Sequence, residues 1–345
     1  MKYALATVCL LTHNSEKFLG KSLESLLNQD YPNLEIIVSD NFSNDKTEKI
    51  IRLFQKENHI IFRKNIPNIK PSKIYDGCYD NCNGCIKSNL IKGEFVGFFH
   101  SDDIYEKEIV KKEVEFLINN PPAGAVFTLG KIINKKDQVI GRFKLPKELK
   151  KKTIYNFEDI FKALLIHGNN FLWTPTFMAR KEIFEKVGFF EEDNFSRSRD
   201  LDMWLRILKK YPIGILDQEL IKWRTGGGGV KYQYLCTERA DFFNVMDYYI
   251  KPLKFEKKFI RQYEYQKRFD NTLRAMNYLI KGEKTKAKNL LKQPFAFSIF
   301  LSICQNINIK KIKGFLLRNL LWLGISLNLN KPLAKMLIKL RYKEK

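Results

Sequence analysis

The sequence predicts an α/β fold, with a mostly parallel central sheet flanked by helices and a basic helical extension at the C-terminus. Three observations lead there. Through residues 1–130, short apolar runs alternate with amphipathic segments long enough to be crossover helices, a pattern that calls for parallel strand pairing. The apolar runs are hydrophobic throughout, as expected for strands covered on both faces. Charge is segregated: residues 251–345 carry 23 Lys and Arg against 5 Asp and Glu, a net of +18, whereas residues 1–250 carry 38 against 33. With 345 residues, 44% of them hydrophobic and 29% charged, the chain can bury a large core, so disordered, collagen-like and coiled-coil classes are excluded.

The first strand runs from Thr7 to Leu11. Asn14 or Ser15 then caps a helix over about Glu16 to Asn28, in which Phe18, Leu19, Leu23, Leu26 and Leu27 share one face. Pro32 and Asn33 turn the chain into a second strand, Leu34 to Ser39. A helix capped by Ser43 or Asn44 turns Ile50, Ile51 and Phe54 inward, and Ile60 to Phe62 makes a short third strand. A helix is expected over Asn81 to Leu90, and Glu94 to Phe99 is the fourth strand. Beyond Pro121 the pattern loosens. It gives a strand over Ala125 to Leu129, a hairpin through Gly141, helices near Phe157 to Leu165 and Lys181 to Val187, and an amphipathic helix from Leu201 to Lys210. After Gly226 to Gly229 strands become scarce, which divides the chain into domains of residues 1–235 and 236–345.

Ligands of such sheets bind outside the carboxyl ends of the strands. Those ends carry Thr12, His13 and Asn14, then Asp40 and Asn41, then His100, Ser101, Asp102 and Asp103. Two adjacent carboxylates directly after an apolar strand are poorly placed unless a positive charge joins them. A hard divalent cation fits, its shell completed by water and phosphate oxygens; capping of a helix that starts near Tyr105 is the structural alternative. Asp40 closes the second strand, where an acid can accept from a base N–H or a ribose hydroxyl; Asn41, Ser43, Asn44 and Asp45 equally make a turn and cap. Asp200 and Asp202 open the amphipathic helix, Asp200 either capping it or, if the helix start faces the crevice, deprotonating a hydroxyl. Arg224 precedes four glycines in what reads as a flexible loop whose bare backbone can approach phosphate, with a plain hinge as the alternative.

The segments THNSEKFLGKSLESLLNQDYPNLEIIVSDNFSND, NCNGCIKSNLIKGEFVGFFHSDDIY, SRDLDMWLRI and WRTGGGG, in this order, resemble the family 2 glycosyltransferases of GT-A (Rossmann-like) fold over about residues 5–230. That resemblance implies transfer of a sugar from a nucleoside-diphosphate donor, foremost a UDP-sugar, to a hydroxyl of a glycan or lipid-linked acceptor in bacterial surface-polysaccharide synthesis. It implies that Thr12, Asn14 and Ser101 line the nucleotide pocket and that Asp40 contacts uracil or an equivalent base. It further implies that Asp102, with Asp103, holds Mg²⁺ or Mn²⁺ against the diphosphate, that Asp200 is the catalytic base, and that Arg224 lies in a loop closing over the phosphates. Inversion by single displacement comes from the family likewise. The sequence departs from the family pattern at four places: His100 replaces the first acid of the Asp-x-Asp, Asn41 a second Asp after the strand, Arg199 the Glu before the base, and Gly226 a metal-binding His.

Cys78, Cys82 and Cys85 spell C-x-x-x-C-x-x-C, the spacing of the thiolates that hold the iron–sulfur cluster of radical S-adenosylmethionine enzymes. The same spacing puts three small apolar side chains on one helical face. A non-catalytic basic adaptor is a third class. The six cysteines fit no secreted disulfide framework and point to a reducing cytosol. The apolar run Tyr3 to Leu11 meets no small-residue cleavage site, so no signal peptide is expected.

Residues 251–345 interleave Lys and Arg with Phe, Leu, Ile and Trp, which suits an anionic membrane interface. The apolar stretch Phe295 to Cys304 is too short to span a bilayer. A helical bundle with a solvated lysine face is the alternative, and no nucleic-acid-binding fold is recognised, so no nucleic acid is expected as partner. The expected location is the cytoplasm, with peripheral attachment to the inner face of the cytoplasmic membrane.

Overall fold

The computed structural model describes residues 3–65, 76–191, 195, 198–225, 237–253, 255–292 and 309–342. The chain forms two compact units, Met1–Lys231 and Tyr232–Lys345. The domain boundary expected at 235/236, the glycines 226–229 and the apolar stretch 295–304 lie outside the described residues.

In the first unit, β1 (Ala6–Thr12), α1 (Leu19–Leu27), β2 (Leu34–Asp40), α2 (Thr47–Glu57), β3 (Ile60–Lys64), α3 (Asp76–Lys87) and β4 (Phe95–His100) alternate as the sequence predicts. β1 pairs in parallel with both β2 and β4, and β2 with β3. The order β3-β2-β1-β4 makes the junction of β1 and β4 a switch point: the chain winds outward from β1 to β3, then crosses to the other side. β1 is buried along its whole length, in keeping with its unbroken apolar run.

The remainder comprises β5 (Ile104–Tyr105), α4 (Ile109–Asn119), β6 (Ala125–Ile133), β7 (Val139–Arg142), β8 (Ile154–Tyr155), α5 (Phe157–His167), β9 (Phe177–Arg180), α6 (Glu182–Val187), α7 (Arg199–Leu208) and β10 (Ile213–Arg224). The sheet runs β3-β2-β1-β4-β9-β6-β10-β5, with β7 on β6 and β8 on β10. β9 lies antiparallel between β4 and β6, and the hairpin through Gly141 is β6–β7. Four strands, β5, β8, β9 and β10, are additions to the sequence reading. β5, β8 and β9 are too short to show a period. β10 is interrupted by Asp217, Gln218 and Glu219, where its register with β6 shifts between Leu216 and Glu219 and again before Ile221.

Behind the sheet, Phe98, Phe127, Phe177, Phe190 and Trp204 form one aromatic cluster, with Phe177 and Trp204 centroids 4.1 Å apart. Burial of each such ring contributes about 1.5–3 kcal/mol relative to exposure. Through Trp204 the cluster fixes α7, and with it Asp200, against the sheet.

The second unit is helical as expected, with α8 (Asp241–Ile250), α9 (Lys257–Ile280), α10 (Lys284–Leu290) and two further helices, Ile309–Ser326 and Asn330–Tyr342. Its core joins Ala275, Leu279, Ala287, Leu291, Leu321, Ile325, Leu333 and Leu337. Among the described residues no helix is long and apolar enough to cross a membrane.

Candidate active site

β1 and β2 end side by side, with Thr12 in register with Asp40, and β4 ends next to them, with Leu11 opposite His100. The turns that follow β1 and β2 are laced together. The Asn14, Ser15 and Glu16 N–H groups donate to Ser43 Oγ (2.8 Å), Thr47 Oγ1 (2.8 Å) and Asp45 Oδ2 (3.1 Å). These bonds explain why α1 starts at Leu19 rather than Glu16, and why neither Asn14 nor Ser15 caps it. Nor do Ser43 and Asn44 cap α2, whose first residue Thr47 instead donates its N–H to Asp45 Oδ1 (2.9 Å). Asn14 adopts left-handed backbone (φ 49°) and accepts from the Asn44 N–H at 2.9 Å. Asp40 is fully buried and accepts from the Ser43 N–H (3.1 Å) and Ser43 hydroxyl (2.5 Å). Thr12 is buried, its hydroxyl oxygen without a protein partner. Phe42, passed over in the sequence, sits between these groups in left-handed backbone (φ 56°) with 43% of its surface exposed.

The loop after β4 is clamped from both sides. Tyr105, stacked on Phe99 at 4.2 Å, accepts from the His100 N–H (2.7 Å) and donates to the His100 carbonyl (3.1 Å). Ser101 is buried and its hydroxyl meets that of Ser15 at 2.6 Å. Asp103 Oδ1 accepts from the Arg224 N–H (2.7 Å), and Arg224 Nε donates to the Asp102 carbonyl (2.7 Å). Arg224 is therefore not in a loop. It ends β10, its side chain fully buried, with Nη1 paired to Asp137 and bonded to the Asn134 carbonyl. Its guanidinium packs over Phe18 at 4.4 Å. Through these bonds it holds the acidic loop in place, while its Nη2 is buried without a protein partner.

Asp200 stands in the first turn of α7, half-buried. It does not cap the helix; Oδ1 accepts the Leu201 N–H (2.7 Å) and Oδ2 the Thr174 hydroxyl (3.1 Å), and Tyr79 adds a further hydrogen bond. Burial raises its pKa above the usual aspartate value, against the pull of these donors. Cys78 lies within electrostatic reach of Asp200, and the same thiol interacts with His100 and Asp102. Cys78 thus links the base candidate to the acidic loop, a connection no spacing in the sequence announces. Asp202 is structural, receiving Arg206 Nε at 2.8 Å.

The motif around α3 is likewise explained by packing. Asn81 joins β2 through the Ser39 hydroxyl and carbonyl, and Asn83 bonds both ways to the Phe190 backbone. Cys82 and Cys85 are buried, Cys85 against Cys9 of β1, while Cys78 is exposed. Among the described residues the three thiols are not a group spaced to hold a metal ion, and the burial of Cys82 and Cys85 favours the packing alternative over the iron–sulfur reading.

Among the described residues, the group spaced to share a cation is His100, Asp102 and Asp103, with one ligand atom from each within 4.8 Å of the others. Asp103 Oδ2 and His100 Nε2 are buried without a protein partner. Burial and the adjacent Asp102 charge raise the Asp103 pKa well above the carboxylate range. Burial opposes protonation of His100, yet the Cys78 thiol and both carboxylates push its pKa up to about 9. A divalent cation fits this grouping of unpartnered atoms: two carboxylates and an imidazole are donors for Mn²⁺, and the oxygens also for Mg²⁺.

The family model described as glycosyl transferase family 2 matches residues 7–188. An uncharacterized glycosyltransferase of Methanocaldococcus jannaschii is 30% identical over 229 residues, which are 65% of this chain and 72% of that protein. The fold is similar to that of S. aureus TarS 1-349 in complex with UDP-GlcNAc, with a TM-score of 0.53 and 18% identity over 93% of this chain and 81% of that one. It is similar also to the mannosyltransferase PcManGT from Pyrobaculum calidifontis in complex with GDP-Man and Mn²⁺, with a TM-score of 0.53 and 14% identity over 95% and 87%. The switch-point site at the ends of β1, β2 and β4 and the match across it give one conclusion: the chain belongs to glycosyl transferase family 2.

Proposed function

We propose that this glycosyltransferase moves a sugar from a nucleoside-diphosphate donor to a hydroxyl of a glycan or lipid-linked acceptor, with inversion and assisted by Mg²⁺ or Mn²⁺, in surface-polysaccharide synthesis. The observation that carries the reading is the shared neighbourhood of Asp200 with the His100–Asp103 loop, through Cys78, at the sheet's switch point. Thr12, Asn14 and Ser101 line the nucleotide end, and Asp40, whose carboxylate shapes the Ser43 turn, presents that turn to the base. Asp102, Asp103 and His100 hold the cation, which when bound supplies the charge that stabilises the departing diphosphate. Asp200 accepts the proton of the acceptor hydroxyl as its oxygen bonds to the anomeric carbon, and the bond to the diphosphate breaks with its electron pair on the leaving oxygen. Arg224 positions the acidic loop.

UDP-sugars are the first donors to test, with GDP-sugars second, since the two similar structures hold one of each. A thermal-shift screen of nucleotide sugars with and without Mn²⁺, followed by detection of nucleoside diphosphate release, tests the reading. Stabilisation by at least one donor, dependent on Mn²⁺ and followed by slow release, is the expected result. Absence of any donor effect on the folded protein would refute it.

A further inference from the structure

The last two helices of the second unit carry a feature that sugar transfer leaves unused. Residues 309–342 contain eight Lys and Arg and no Asp or Glu. On the helix Ile309–Ser326, Leu316 (59% exposed), Leu320 (45%) and Leu323 (49%) recur at spacings of four and three residues, and Leu327 (59%) continues the row just past the helix end. At 100° per residue these side chains share one face. The opposite face is already used: Arg318, Leu321 and Ile325 are buried there, and Gly314 lies against Tyr265 and Phe269. Leu321 and Ile325 belong to the core shared with Leu333 and Leu337. The leucine row is thus a second apolar stripe, facing outward from a helix whose inner stripe is satisfied. Lys313 on the same helix and Lys331, Lys335 and Lys339 on the helix Asn330–Tyr342 are also exposed.

From these features we propose that the leucine row, with the exposed lysines of the last two helices, forms a docking face for an anionic lipid bilayer. Charge complementarity selects the occupant. An apolar row within a segment without acids matches a surface that offers hydrocarbon beneath a layer of negative headgroups. A phosphate polymer offers the charge without the apolar layer. Among the described residues no helix is long and apolar enough to cross a membrane, so the helix lies in the headgroup plane, where leucines insert and lysines remain at phosphate level. The inference is independent of the sugar chemistry.

The test is co-sedimentation of the full chain with vesicles of phosphatidylcholine alone or mixed with phosphatidylglycerol, at low and high salt. Binding to the anionic vesicles, weakened by salt, is expected. Combined Leu316→Glu, Leu320→Glu and Leu323→Glu changes, at positions outside the core, are expected to lower partition at least about tenfold while leaving the melting temperature unchanged. Combined Lys313→Gln, Lys331→Gln, Lys335→Gln and Lys339→Gln changes are expected to weaken binding to anionic vesicles by a similar factor. Three outcomes would overturn the proposal. The full chain stays in the supernatant, or it binds a random single-stranded oligonucleotide and no vesicle. Alternatively, light scattering without lipid finds a dimer that the leucine variant splits, which would make a second copy the occupant.

Discussion

Asp200 is the residue on which turnover depends in this reading, because it is the acid held beside the acidic loop yet outside the cation group. Asp200→Asn keeps the hydrogen-bonding shape and removes the base. Turnover is expected to fall by about 10²–10⁴ while donor binding changes little, as steady-state rates and donor titration would reveal. Since burial raises the Asp200 pKa, it stays protonated to higher pH than an exposed aspartate. The acid limb of kcat/KM is therefore expected above the ordinary aspartate value of about 4, and a limb at or below that value would remove Asp200 from the role. Phe42 makes a second case at this scale. Its left-handed backbone and exposed side chain, two residues after Asp40, suit stacking on a nucleobase. Phe42→Ala is expected to weaken UDP binding by roughly tenfold or more, the usual worth of a base–aromatic stack, with kcat nearly unchanged when donor is saturating.

At the scale of elements, α4 carries an unsolvated acid. Glu113 is fully buried with neither carboxylate oxygen hydrogen-bonded, and burial raises its pKa well above the carboxylate range. The fold therefore keeps a proton that the unfolded chain gives up. Stability from this site is complete below the unfolded value of about 4.3 and is lost as pH rises toward the raised folded value. Glu113→Met should remove that loss and stabilise by about 1–3 kcal/mol at pH 8, with less gain at pH 5, readable by denaturant titration at both pH values. A melting point lowered equally at both would show that the carboxyl is solvated after all.

The elements also show what could be read in advance. β1 to β4 and their helices were legible because long apolar runs and helical periods are local signals. The ends of those strands supplied Thr12, Asp40 and Asp102 without any structure. β9 and β10 were not legible, since a four-residue strand has no period and the Asp217–Glu219 interruption hides a twelve-residue one. Missing β10 misassigned Arg224 to a loop. That residue's partners, Asp102 and Asp103, are more than a hundred positions away in the chain, and only the β10 pairing with β6 and β5 sets it beside them. The contacts of Asp200 with Thr174 and Tyr79 were hidden for the same reason.

For the whole molecule, two compact units divide the chemistry between them. Residues 1–231 hold the acids proposed for the donor site, and residues 232–345 are rich in Lys and Arg. In the first unit, acids remote in sequence are proposed to cooperate on one donor and one cation. Calorimetric titration of UDP into the full chain with and without Mn²⁺, repeated on Asp102→Ala and Asp200→Asn, decides whether they do. Mn²⁺-dependent binding in the native chain, abolished by Asp102→Ala and preserved by Asp200→Asn, is the expected result. Binding that ignores Mn²⁺, or that survives Asp102→Ala undiminished, would contradict it.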